Sequence, residues 1–159
     1  MVSREWISAA GWGALEAERH QLLKVERPQV VQQVADAAAE GDRSENAEYI
    51  YGKKRMREID RRLKYLSQRM ERLSVQPPPN QAERVAFLSV VEVENLDTEE
   101  IKTFQIVGPD ESDVSAGKIS YLSPIGRAVM GKAVDDDFEF ETPGGKRLYC
   151  VNQIRSPER

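Results

Sequence analysis

The chain is expected to be α+β, with an antiparallel helical hairpin first and a small antiparallel sheet carrying one short helix after it. Three observations predict this. Met56, Ile59, Leu63, Leu66, Met70 and Leu73 alternate spacings of three and four, the a/d seam of a coiled coil. Gln76-Pro77-Pro78-Pro79-Asn80 cannot continue a helix, because proline lacks the amide donor and its ring clashes with the preceding turn. Beyond that run, apolar residues recur at alternate positions, as in Val91 and Val93 or Leu148 and Cys150, the period of half-buried strands. The expected divisions are a coiled-coil unit at 1–75 with an acidic tip, a proline-rich linker at 76–81 and a second unit at 82–159.

The first helix is expected over 8–40, with Ser8 as its N-cap. Leu15, Leu22, Val30, Val34 and Ala37 lie on one side, but their spacing shifts near Pro28. Proline there removes the bond to the carbonyl of Lys24, which predicts a bend. Gly41 interrupts the pattern, so the second helix folds back on the first. At about 1.5 Å per residue, about thirty residues make an arm of about 45 Å. In the second unit, strands are expected at 85–94, 102–107, 118–122, 138–141 and 147–154, with Pro143-Gly144-Gly145 turning the last hairpin. Ser123-Pro124 reads as an N-cap followed by proline at N1, opening a short helix that Gly131 ends.

The net charge of -4 argues against a general nucleic-acid binder, yet it conceals an asymmetry. Residues 1–75 hold 14 Lys and Arg against 12 Asp and Glu, whereas the remainder holds 9 against 15. Between Lys53 and Lys64 seven cations face two acids. The two halves are therefore expected to meet different partners. No window carries the roughly 20 apolar residues of a membrane span, and the N-terminus lacks the apolar core of a signal peptide. A cytoplasmic protein with no membrane partner is expected. Cys150 has no second cysteine to pair with, and with the lone His20 it offers no metal-site spacing. They read as a packed small residue and an exposed helical histidine.

Chemistry is concentrated in Gly41-Asp42-Arg43-Ser44-Glu45-Asn46-Ala47-Glu48-Tyr49, between the two helices. Two readings of it stand. Asp42 as N-cap with Glu45 three residues on forms a capping box for the second helix. Capping uses only two acids, however, and Glu40, Asp42, Glu45 and Glu48 crowd one apex. Ionised carboxylates are hard donors suited to Mg²⁺, and they could complete the shell of an ion already held by phosphates and another protein.

The basic segment is also open to two readings. Lys54, Arg57, Arg61 and Lys64 fall at f and b positions, and Arg55, Arg62 and Arg69 at g. The two rows suit either a phosphate backbone or a solvated coiled-coil face with Glu58 and Asp60 as counterions. Tyr49 and Tyr51 either stack on a base or pack against the first helix. Asp135-Asp136-Asp137 reads as a solvated turn between helix and strand.

The nonapeptide, followed by Tyr51-Gly52-Lys53-Lys54-Arg55 and Arg57-Glu58-Ile59-Asp60-Arg61-Arg62, resembles the bacterial Gre transcript cleavage factors, which act in transcription elongation. The basic continuation resembles the GreB branch. Glu26-Arg27-Pro28 and Ile106-Val107-Gly108-Pro109-Asp110-Glu111 extend the match through almost the whole chain. The resemblance implies a monomer whose partner is bacterial RNA polymerase, with the coiled coil inserted through the secondary channel to the catalytic centre. There Asp42 and Glu45, the residues matching the family's tip acids, help hold a Mg²⁺ shared with the polymerase and position the attacking water. The polymerase then cleaves the 3′ RNA of a backtracked complex, so the chain is not itself an enzyme. Lys53, Lys54, Arg55, Arg57 and Arg61 become candidates for contact with that RNA, since Lys54 is about 18 Å from Asp42 along a helix.

The resemblance further implies an FKBP-like second unit without prolyl isomerase activity, which grips the polymerase's rim coiled coil. Ser123, Pro124, Ile125 and Arg127 lie in the matching docking segment, where this chain has Leu122 in place of the usual acidic residue before the serine. A channel-plugging regulator that does not promote cleavage is the alternative of the same shape. Such relatives alter the tip acids, and this chain keeps both.

Overall fold

The computed structural model describes residues 4–41, 46–80 and 83–157, and divides into two compact units. One is Trp12–Leu73. The other joins the first eleven residues to Ser74–Arg159. The division falls at Ser74, ahead of the proline run, and the N-terminal segment packs with the second unit.

In the arm, α1 (Ala9–His20), α2 (Arg27–Ala39) and α3 (Ala47–Glu71) are built on the seam that the heptads mark. Leu22, Val30, Ile59 and Leu66 are buried together, with Leu15, Val34, Met56 and Leu63 packed around them. Where the bend is expected, the helical bonding changes. Pro28 is the second residue of α2 and has no amide for the Lys24 carbonyl. The six residues Gln21–Glu26 before it adopt π-helical bonding, so the backbone widens and the helix continues. Gly52 is buried where the helices come closest. A Cβ there would sit 2.6 Å from Cγ2 of Val34.

The second unit is α+β, as expected. β1 (Glu5–Ile7) pairs with β2 (Leu73–Val75). A five-stranded sheet contains β3 (Val90–Asn95), β4 (Ile101–Val107), β5 (Lys118–Ser120), β6 (Asp137–Thr142) and β7 (Gly145–Arg155) in the order β5-β4-β3-β7-β6. Four of the strands pair antiparallel, but β5 runs parallel to β4 along the edge. α4 (Pro124–Val129) supplies Val129 to a core of Val91, Val93, Phe104, Ile106, Tyr149 and Val151.

The strand expected from residue 85 begins only at Val90. Leu88 has φ 73°, and Ser89 donates its amide to the Ala86 carbonyl at 3.0 Å, so 86–89 form a turn. The left-handed conformation costs a leucine roughly 1–2 kcal/mol. It persists because the Leu88 amide bonds the Ile106 carbonyl at 2.8 Å and the side chain is buried.

The N-terminal segment is fixed by one carboxylate and one ring. Glu111 accepts the amides of Ser8 at 3.1 Å and Gly108 at 3.2 Å, and it also accepts the Ser8 hydroxyl. Ser8 Oγ in turn caps α1 by accepting the Gly11 amide at 3.0 Å. Trp6 stacks on Tyr121 with centroids 5.0 Å apart and meets Phe87 edge-on at 5.5 Å. Its backbone amide donates to the Tyr121 hydroxyl at 3.1 Å.

Gly126 lies against the carbonyl oxygen of Ser120, which an added Cβ would overlap. Gly126→Ala should therefore displace backbone and cost the second unit about 1–3 kcal/mol. A chemical denaturation curve checks this. An unchanged midpoint would contradict the close packing.

Candidate functional site

The tip acids Asp42 and Glu45 lie outside the described residues. What flanks them is described, and it changes the capping assignment. The N-cap of α3 is Asn46, not Asp42: its Oδ1 accepts the Tyr49 amide at 3.2 Å. The same side chain donates from Nδ2 to the Ala37 carbonyl at 2.8 Å, in the last turn of α2. One amide thus joins the last turn of α2 to the first turn of α3. Asn is a favoured N-cap and was the available signal. The Asp-x-x-Glu spacing masked it.

The two tyrosines behave differently. Tyr49 is half-buried, whereas Tyr51 is 71% exposed.

The two rows of cations also separate. Arg55, expected to face RNA, donates to Glu26 across the hairpin at 2.6 Å and lies 3.2 Å from Glu58. Arg62 makes a two-pronged pair with Glu18 at 2.6 and 2.8 Å. These g-position arginines hold helix to helix, as such positions do in coiled coils. Sequence reasoning missed their partners because Glu18 and Glu26 lie 44 and 29 residues away. Asp60 is likewise occupied, accepting from Arg27 at 2.8 Å. Lys53, Lys54, Arg57, Arg61 and Lys64 are exposed and, among the described residues, have no ion-pair partner. A shallow depression bordered by Arg57, Asp60, Arg61 and Lys64 lies on this row. Of the two rows, the outer one is thus left without ion-pair partners among the described residues.

In the second unit, Ser123 Oγ accepts the Gly126 amide at 3.1 Å and donates to the Ser120 carbonyl at 2.7 Å. This caps α4 and places Pro124 at its first position. Ile125 packs against the core, while Pro124 and Arg127 are exposed. The four expected docking residues therefore divide into a cap, a root and two outward groups. Asp136 closes the 133–136 turn by accepting the Ala133 amide at 2.8 Å, and Asp135, Asp136 and Asp137 are exposed. Burial, with Asp137 nearby, pushes the Cys150 thiol up, away from the thiolate form a nucleophile needs. Among the described residues, no group of three or more His, Cys, Asp or Glu could hold a metal ion. No helix among them is long and apolar enough to cross a membrane.

Two family models match the chain. Residues 5–75 match the N-terminal model for transcription elongation factors, and residues 80–156 match the C-terminal model for transcription elongation factors GreA/GreB. Transcription elongation factor GreB of Yersinia pestis is 51% identical over 98% of this chain and 91% of its own length. GreB of Haemophilus ducreyi is 50% identical over 97% and 95%, and that of Pseudomonas aeruginosa 47% over 95% and 90%.

The cross-helix pairs predict an acid response. Hydrogen bonds from Arg62 and Arg55 hold the Glu18 and Glu26 carboxyls below the ordinary value near 4.5. A depressed carboxyl contributes stability that is full above the unfolded value and is lost as pH falls through the lower folded value. Helical melting followed from pH 7 to pH 3 should show the arm weakening below about pH 4.5. In the E18Q/E26Q variant the acid decline should be shallower. An equal decline would remove these pairs as its cause.

Proposed function

We propose, from the premise that this chain belongs to the GreA/GreB family of transcription elongation factors, that it stimulates RNA polymerase to cleave the 3′ RNA of backtracked complexes. In this reading the arm enters the secondary channel and α4 grips the rim of bacterial RNA polymerase. The observation that carries it is the arm's own layout. In the sequence the acid pair Asp42 and Glu45 lies between α2 and α3, whose facing ends Asn46 joins, and the exposed row Lys53, Lys54, Arg57 and Arg61 follows along α3.

The donor chemistry fits Mg²⁺. Two carboxylates are hard oxygen ligands, too few for a cage of their own but enough to complete a shell built mainly by others. Asp42 and Glu45 would hold the ion together with the polymerase, where it would supply charge neutralisation at the scissile phosphate and an activated water. The chain itself contributes ligands, their positioning and a cationic path for RNA. It makes no covalent bond to substrate, and cleavage requires the polymerase. Lys53, Lys54, Arg57 and Arg61 act on the extruded RNA as phosphate contacts. Arg55, engaged by Glu26 and Glu58, acts on it indirectly by keeping α3 against the first helix. Pro124 and Arg127 form the docking contact, held in place by Ser123 and Ile125.

Purified chain alone should leave RNA intact, while backtracked complexes should be cleaved faster in its presence. Asp42→Asn with Glu45→Gln should abolish that stimulation and leave polymerase binding within about twofold, because the altered groups act on the ion and not on docking. Unchanged cleavage by the double variant would refute the assignment. Wild-type protein that binds polymerase and only inhibits nucleotide addition would identify the non-cleaving regulator instead.

A further inference from the structure

The arm has a second feature near its tip that phosphate contacts do not use. Between the first helix and α3 lies a notch of about 220 Å³ bordered by Glu26, Gln29, Val30, Gln33, Tyr51, Gly52 and Arg55. Gly52 is among its lining residues, and the space a Cβ would take there is already occupied by Val34. Val30 in its lining is buried, and Arg55 and Glu26, which also line it, are paired with each other. Gln29 and Gln33 are exposed one helical turn apart, and among the described residues neither amide has a partner. On the facing helix Tyr51 exposes 71% of its surface, the most of any tyrosine in the arm.

From these groups we infer that the notch binds a single nucleobase of the RNA that the arm meets, stacked on Tyr51 and hydrogen-bonded on its edge by Gln29 and Gln33. This rests on the reading that the arm works beside RNA.

Three properties select that occupant. The volume lies below the roughly 300–1,000 Å³ of sites for drug-sized ligands and suits one planar heterocycle. A primary amide offers a donor and an acceptor together, the pairing that base edges present, and two such amides a turn apart tolerate different bases. Lys54 follows Tyr51 by three residues on α3, so a base in the notch leaves its phosphate beside an exposed cation. An aromatic platform beside a cationic track is the general means of holding single strands without strong sequence preference. An acidic peptide would meet the Glu26 carboxylate and find no free cation inside the notch. A hydrophobic helix would have to desolvate both amides.

The test uses the full chain, short single-stranded RNA (octauridylate and octaadenylate) and no polymerase. Tyr51→Ala should weaken binding about 5- to 150-fold, the range for loss of one stacked base, with the salt dependence unchanged. Tyr51→Phe should bind like wild type, because the ring is what matters. Lys54→Ala with Arg57→Ala should instead reduce the salt slope by about 0.7 for each phosphate no longer neutralised. On titration, NMR signals of the Tyr51 ring and of the Gln29 and Gln33 side-chain amides should shift together.

The notch is refuted if Tyr51→Ala binds RNA like wild type, if those signals stay still at saturating RNA, or if no binding is measurable. It is equally refuted if Tyr51→Ala loses only affinity for polymerase, which would make the ring a protein contact. Because polymerase is absent from the RNA assay, a failed notch leaves the tip variant's cleavage defect standing, and an intact tip variant leaves the notch standing.

Discussion

Ile59 and Leu66 of α3, buried against Leu22 and Val30, are the contact on which the arm depends. A two-layer arm has too little interior to bury much apolar surface, so its stability rests on a narrow seam. Each fully buried aliphatic on that seam contributes about 1.5–3 kcal/mol, and no second layer compensates when one is removed. The seam also dictates what lies beside it. Once Met56 and Leu63 face inward, Arg55 and Arg62 must stand at its edge, within reach of Glu26 and Glu18. Lys54, Arg57 and Arg61 must then face outward. The free cations and the bridging arginines come from one heptad register.

The same constraint explains the π-helical turn. A proline at 28 takes one donor from the ladder, and a break there would separate Leu22 from Val30 on the seam. Widening Gln21–Glu26 keeps both residues buried and keeps Glu26 in reach of Arg55. Gly52 serves the same seam. Its missing side chain lets α3 approach Val34.

In the second unit the organising contact is the hold on the N-terminal segment. Trp6 stacks on Tyr121, which leads directly into the Ser123 cap of α4. Such an aromatic pair contributes about 0.5–1.5 kcal/mol beyond area burial. Glu111 satisfies three donors at once, so the segment enters α1 with its first amides paired. The residues that present Pro124 and Arg127 are thus braced by a strand more than one hundred positions earlier in the chain.

Much of this was determined by the sequence alone, and for one reason: periodicity and turn chemistry are local. The heptads from Met56 to Leu73 marked the seam, Ser123-Pro124 marked the start of α4, and Pro143-Gly144-Gly145 marked the last hairpin. What the tertiary structure decided involves pairs far apart in the chain. Arg55 reads as a free cation until Glu26 is seen beside it, and Trp6 belongs to the arm by position but to the sheet unit by packing. Residues 86–89 lie in a segment expected as strand yet form a turn, because the Ile106 carbonyl holds the Leu88 amide in place. Local pattern specifies which face of an element is buried. Which distant charge or ring meets that element depends on how the chain closes, and no short-range spacing encodes it.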